Sequence, residues 1–282
     1  MHEFLVIQCA PKPRFEAGVI AALTDATAVE SLGSHAFRLV GAHRHDGLAA
    51  HCEREGIDWA WVPDTRRLAD FKLAVMDMDS TLITIECIDE IADLQGLKPQ
   101  VAAITAAAMR GELDYPASLR ERVALLKGLP EAALARVYDE RLKLSPGAET
   151  MLARFRTLGI RTLLVSGGFT YFTERLKARL ILDETHSNTL EIEGGKLTGR
   201  VLGEIVDAEA KAAALRAARD RLGIARTQII AMGDGANDLA FMAEAGVSIA
   251  YRAKPVVRAQ ATHALNHAGL DGVLNLFLQV SA

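Results

Sequence analysis

Residues 71–81 read FKLAVMDMDST, an apolar run over 71–76 that stops against Asp77, with Asp79 two positions further on. A short apolar run of this kind, rich in β-formers and closed by polar residues, reads as a buried strand. Two carboxylates two apart at the end of a strand point to the same side. Alone, the pair could be a solvated turn, but the same pattern returns twice. The run over 161–165 ends at Ser166, Gly167 and Gly168, and the run over 227–232 ends at Gly233-Asp234-Gly235-Ala236-Asn237-Asp238. Helical stretches lie between them. Ser145 and Pro146 open one that Gly159 closes, and an Ala-rich run from Ala208 ends at Gly223. Strands alternating with helices predict βαβ units around a parallel sheet, whose ligands lie outside the carboxyl ends of the strands.

Two segments depart from that alternation. Residues 86–144 read as helical with no intervening strand, an insertion that would cover the site. LEIEGGKLTGRVL, residues 190–202, alternates around Gly194-Gly195 and predicts a β-hairpin. Ahead of the first strand, residues 1–70 form a separate small unit with strands over 4–7, 36–40 and 58–62 and helices over 15–23 and 47–53. Pro63 and the polar residues 64–67 mark its end.

The chain has 282 residues, 50% hydrophobic and 24% charged, enough to bury a sizeable core. A formal net charge of -4 and the absence of a Lys/Arg cluster argue against a nucleic-acid partner. No apolar stretch approaches the length of a membrane span. Cys9, Cys52 and Cys87 are odd in number and lack CxxC spacing, which fits a reducing cytoplasm better than a disulfide framework. His43, His45 and His51 lack the partners of a metal site and read as surface histidines.

The chemistry gathers on the two acidic clusters. Carboxylates crowded at strand ends repel one another unless a cation neutralises them, and oxygen ligands without His or Cys describe a site for a hard cation such as Mg2+.

DMDST, VSGG, Lys211 ahead of the Ala-rich helix, and GDGAND, in that order, resemble the four motifs of the haloacid dehalogenase superfamily of aspartate-nucleophile phosphatases. Further likeness over 86–92, 118–126 and 165–169 points within it to the members that hydrolyse O-phosphoserine, and the resemblance covers residues 71 to the C-terminus. It implies an α/β fold: a Rossmann-like parallel sheet over 71–85 and 145–282 and a helical cap over 86–144. The pattern over 1–70 separately resembles a small α+β, ACT-like regulatory domain. The superfamily resemblance implies Asp77 as nucleophile and Asp79 as acid/base, with Mg2+ held by the side chains of Asp77 and Asp234 and the carbonyl of Asp79. Ser166, the amides of Gly167 and Gly168, and Lys211 would hold the phosphate. Asn237 would touch substrate or phosphate, and Asp238 would orient the metal's surroundings. Glu86 would meet the substrate ammonium and Arg122 its carboxylate, with Met109 and Tyr115 closing over them. Tyr115 departs from the more familiar Phe.

Read singly, several of these have plainer roles: Lys211 a surface lysine, Glu86 a solvated first-turn acid, Arg122 an ordinary pair with Glu121, Met109 a core residue. The activity implied is the last step of L-serine biosynthesis, on a small-molecule substrate, with a homodimer left open. Alternatives remain: a phosphatase or phosphotransferase of the same superfamily acting on another small phosphomonoester, or a regulatory amino-acid-binding module built on residues 1–70.

Overall fold

The computed structural model describes residues 2–11 and 16–278. In chain order the elements are β1 (Glu3–Gln8), α1 (Ala17–Leu23), β2 (Ala28–Gly33), β3 (Ala36–Val40), α2 (Gly47–Glu55), β4 (Asp58–Pro63) and β5 (Leu73–Met76). There follow α3 (Cys87–Asp93), α4 (Lys98–Met109), α5 (Tyr115–Ala124), α6 (Ala132–Arg136), α7 (Ala148–Thr157), β6 (Arg161–Phe169), α8 (Thr170–Leu180), β7 (Glu184–Glu193) and β8 (Lys196–Leu202). The chain closes with α9 (Ala208–Leu222), β9 (Ile229–Gly233), α10 (Leu239–Ala243), β10 (Val247–Tyr251), α11 (Pro255–Arg258) and β11 (His263–Leu265). A seven-stranded sheet has the order β11-β10-β9-β5-β6-β7-β8. Every residue of β5, β9 and β10 is buried, as strands covered on both faces require.

The chain divides into two compact units, the first made of Met1–Ala74, Ser145–Arg161 and Ile224–Ala282. Its N-terminal part is an antiparallel sheet of order β2-β3-β1-β4, in which Leu5 stands opposite Leu39 on one side and Trp61 on the other. Leu5, Val6 and Ile7 are all buried, so both faces of β1 are covered. Leu5 and Ile7 share a core with Ile20 of α1 and with Leu48 and Cys52 of α2. In β4 the residues alternate, with Asp58, Ala60 and Val62 buried between the more exposed Trp59 and Trp61.

Asp58 ties this sheet to the end of the chain. Its carboxylate accepts the backbone N–H groups of Asn266 at 2.7 Å, His267 at 3.0 Å and Ala268 at 2.8 Å, just past β11. Three donors on one buried carboxylate replace its lost hydration. In the same unit Gln8 donates to the carbonyl of Gly272 and accepts from Asn275. Parallel pairing sets Val247 of β10 against Ile230 of β9, and Ile249 against His263 of β11.

The second unit is Val75–Leu144 with Thr162–Gly223. Its insertion, α3 to α6, holds no strand and makes only isolated bridges, Ile83 with Leu144 and Pro130 with Lys196. The expected hairpin is present with its turn at Gly194-Gly195, but β7 begins six residues earlier than the alternation suggests, at Glu184. Its first half pairs parallel with β6 and only its second half pairs antiparallel with β8, so one strand carries two patterns. Strands β2, β10 and β11 were not expected from the sequence. The predicted start of the first helix, at Phe15, lies outside the described residues.

Replacing Asp58 by Ala removes the acceptor from three amides at once. Hydrogen bonds to a charged group contribute roughly 1.5–3 kcal/mol each and do not add fully, so the variant is expected to lose about 2–4 kcal/mol. Urea unfolding measures this as a lower midpoint, and an unchanged midpoint would show that the carboxylate is not a structural tie.

Candidate active site

Asp77 stands where β5 ends, and the chain past it cannot continue as a strand. Ser80 adopts a left-handed conformation, φ 56°, uncommon for a residue with a side chain, and the backbone doubles back so that the Ser80 N–H meets the carbonyl of Ile85. The reversal brings Glu86 within reach of Ser80, whose hydroxyl donates to the Glu86 carboxylate at 2.6 Å.

The centre of the second unit is an ion pair. Lys211 Nζ donates to Asp77 Oδ1 at 2.7 Å, with side-chain exposures of only 2% and 8%. Lys211 lies in the first turn of α9, whose start is fixed by Asp207 accepting the Ala210 N–H. The surface reading of Lys211 is therefore excluded. Removing both charges from water is costly unless each neutralises the other, and the pair holds Asp77 as a carboxylate.

Asp79 has the opposite character. Its Oδ1 accepts the Cys87 N–H at 3.2 Å, but desolvation first, and then the charge of Glu86, push its carboxyl up to about 7, against the pull of Cys87 and Lys211. Two carboxyls of one motif thus differ in proton affinity, one suited to attack and the other to carry a proton.

The turn after β6 supplies the next wall. Ser166 is fully buried, and its Oγ accepts the Gly168 N–H at 2.9 Å. A Cβ on Gly168 would lie 2.8 Å from Met78 Cε and 2.9 Å from Asp79 Oδ2, so only glycine lets the backbone pass so close to the acid. The Gly167 carbonyl accepts from Tyr115 Oη at 3.2 Å and from Asn188 Nδ2 at 2.8 Å. Burial pushes the Tyr115 hydroxyl up to about 12, so it remains a donor.

Asn188 was not foreseen from the sequence. It is buried on β7, and its Oδ1 accepts the Val206 N–H at 2.8 Å while its amide holds Gly167. With both ends occupied, it fixes the orientation of the peptide after Ser166. A lone Asn inside an alternating strand is the sole hint the sequence offers.

From the insertion, Glu86 and Arg122 come within electrostatic reach of each other: burial raises the Glu86 carboxyl, and Arg122 and Lys211 offset part of that rise. The Arg122 Nε also donates to the Ser118 carbonyl at 3.3 Å, one turn back on α5. Met109, at the end of α4, is 74% exposed, which rules out the core reading.

In the first unit, the loop after β9 is organised by Asp238. Its buried Oδ2 accepts the N–H groups of Asp234 at 3.1 Å and Gly235 at 3.0 Å, and a Cβ on Gly233 would lie 2.6 Å from it. Asn237 is exposed. Asp234 and Asp238 thus stand together in one loop of the first unit, and their oxygen donors suit a hard divalent cation.

A family model for haloacid dehalogenase-like hydrolases matches residues 74–243. A phosphoserine phosphatase of Polaromonas sp. is 55% identical over 219 residues, 76% of this chain and 92% of the relative. A solved structure of a probable phosphoserine phosphatase from Vibrio cholerae, unliganded, is similar with a TM-score of 0.84 at 39% identity, covering 98% of this chain and 86% of that one. Another, a phospho-aspartyl intermediate analogue of phosphoserine phosphatase, gives a TM-score of 0.69 at 37% identity over 74% of this chain and 99% of that one. Among the described residues no helix is long and apolar enough to cross a membrane. With the family model spanning more than half its length and a relative at 55% identity over three quarters of it, the chain belongs to the haloacid dehalogenase-like hydrolases.

Proposed function

We propose that the protein hydrolyses O-phospho-L-serine to L-serine and phosphate through an aspartyl phosphate on Asp77, the last step of L-serine biosynthesis. The observation that carries this reading is the pairing of unlike acids: Asp77 held ionised by Lys211, beside Asp79 with a carboxyl pushed up to about 7. Asp77 Oδ attacks phosphorus and the bond from phosphorus to the serine oxygen breaks. Asp79 gives its proton to that oxygen, then accepts one from the water that opens the acyl phosphate and returns Asp77 as a carboxylate. Lys211 and the turn at Ser166, Gly167 and Gly168 balance the charge spread over the phosphoryl oxygens.

Mg2+ is the cofactor in this reading, held by the side chains of Asp77 and Asp234 and the Asp79 carbonyl, and it would neutralise phosphate charge as substrate binds. Asp238 fits the part of shaping the loop that presents Asp234, since it binds that loop's amides. Residues 86–144 act as the cap that selects the substrate. Glu86 meets the ammonium, Arg122 the carboxylate, and Tyr115 closes against the Gly167 carbonyl. Asn237 contacts phosphate, and Met109 is an outer residue of the cap. Three buried cysteines outside any disulfide, Cys9, Cys52 and Cys87, support a cytoplasmic setting.

Asp77→Asn keeps the shape of the nucleophile and removes its charge. Turnover of phosphoserine is expected to vanish while the circular dichroism spectrum stays that of the wild type, and retention of more than a few per cent of the activity would sink the assignment. Chelation by EDTA should inactivate the enzyme, Mg2+ should restore it, and Ca2+ should do so poorly because its longer bonds and higher coordination number misplace the attacking oxygen. Full activity in chelator refutes the metal.

Substrate choice is tested by Arg122→Lys, which keeps the charge and loses the planar two-point contact. The kcat/KM for phosphoserine is expected to fall by about one to two orders of magnitude, the worth of a charge-assisted hydrogen bond. That for phosphoethanolamine, which has no carboxylate, should change far less. An equal fall for both substrates would assign Arg122 to the cap's own structure and weaken the choice of phosphoserine over other phosphomonoesters.

A further inference from the structure

The first unit contains a cavity of about 750 Å3 that none of the chemistry above uses. It runs along β4, the edge strand of the N-terminal sheet, and its other wall is β11 with the loop that follows. The acids on its lining are mostly committed. Asp58 accepts three backbone amides, and Glu3 accepts Arg44 Nη2 at 2.7 Å. The remaining one, Glu53, is exposed on α2.

The cations are less fully matched. Arg66 is half-buried, and among the described residues no carboxylate lies within ion-pair distance of it. Its guanidinium Nη1 meets Nε2 of the buried His263 at 3.0 Å. Burial, and then the Arg66 charge, bring that imidazole down to about 4, so it is neutral and Nε2 accepts from the guanidinium. Glu3, itself paired with Arg44, balances the charge of Arg66 only from beyond ion-pair distance, and one bond to a neutral acceptor leaves most of its five N–H donors unused. Arg258 adds a second cation to the lining, and Trp59 and Trp61 add apolar walls.

We propose that this cavity is a second, non-catalytic binding site for a small anion bearing a carboxylate or a phosphate, held by the Arg66 guanidinium. A planar fork of N–H donors with no carboxylate in direct contact matches two oxygens of such a group. The volume admits a small metabolite and the aromatic wall can cover its apolar part.

The chain offers its own reporter, because it has two tryptophans and both line this cavity. Emission from the wild-type protein is followed while malonate, and separately inorganic phosphate, is added at constant ionic strength. A saturable change with either anion is expected, and which one gives it separates the carboxylate from the phosphate source. Arg66→Gln should weaken that binding by about tenfold or more, and Arg66→Lys by less, since it keeps the charge without the fork. Undiminished turnover of phosphoserine by both variants checks that they are folded, and Arg258→Gln serves as a third variant should Arg66→Gln not fold. Absence of a saturable change with both anions, or an affinity untouched by all the variants that fold, overturns the proposal.

Discussion

The buried contact between Lys211 and Asp77, 2.7 Å long, constrains everything around it. Two charges in so dry a place are tolerated because each offsets the other's lost hydration. Lys211 makes the contact from the first turn of α9, whose start is set by the Asp207 cap. The contact also contributes to the division of labour in the motif at 77–79. A fixed cation next to Asp77 favours the carboxylate form there, while desolvation first, and then the charge of Glu86, drive Asp79 toward the acid. Lys211 pulls on both acids, so the contrast between them rests on the direct ion pair at Asp77 set against the desolvation of Asp79.

The second constraint is room. Asp79 Oδ2 and the α-carbon of Gly168 approach so closely that a methyl group could not stand between them, and Gly167 meets the hydroxyl of Tyr115 in the same way. Where the backbone itself forms the wall, its orientation must be held from behind. Asn188 does this by joining the Gly167 carbonyl to the Val206 amide across the unit's interior. The same device appears in the first unit, where Asp58 gathers three amides that no strand would otherwise satisfy. Buried polar side chains act here as connectors between segments remote in sequence.

That pattern accounts for what could be read in advance. Strands β5, β6 and β9 were legible because each is an apolar run broken by a cluster of Gly, Ser or Asp, and the break is where the chemistry sits. Strand β10 is equally buried but ends without such a cluster, β11 has only three residues, and β2 is almost wholly exposed, so none stands out from its surroundings. Local pattern also could not decide whether Lys211 faces water or the interior, since helical period places it equally well on either side. Order of motifs supplied that answer. Asn188 and Asp58 had no such support: their partners are backbone groups far along the chain, invisible to composition or period.

The residues proposed for catalysis and those proposed for selection differ in how tightly they are held. Asp77, Ser166 and Lys211 are buried and tied to strand ends or a capped helix. Glu86 and Arg122 belong to a reversal and a short helix of the insertion, keep solvent contact, and influence each other through charge without an ion-pair contact among the described residues. An interaction of that kind leaves neither group locked on the other: Glu86 accepts the Ser80 hydroxyl and Arg122 donates to the Ser118 carbonyl. A direct salt bridge would have to be broken before substrate could bind, at a cost of lost affinity. Their separation is what the proposed reading of the insertion, as a receptor for an amino acid carrying a phosphate, requires of the pair.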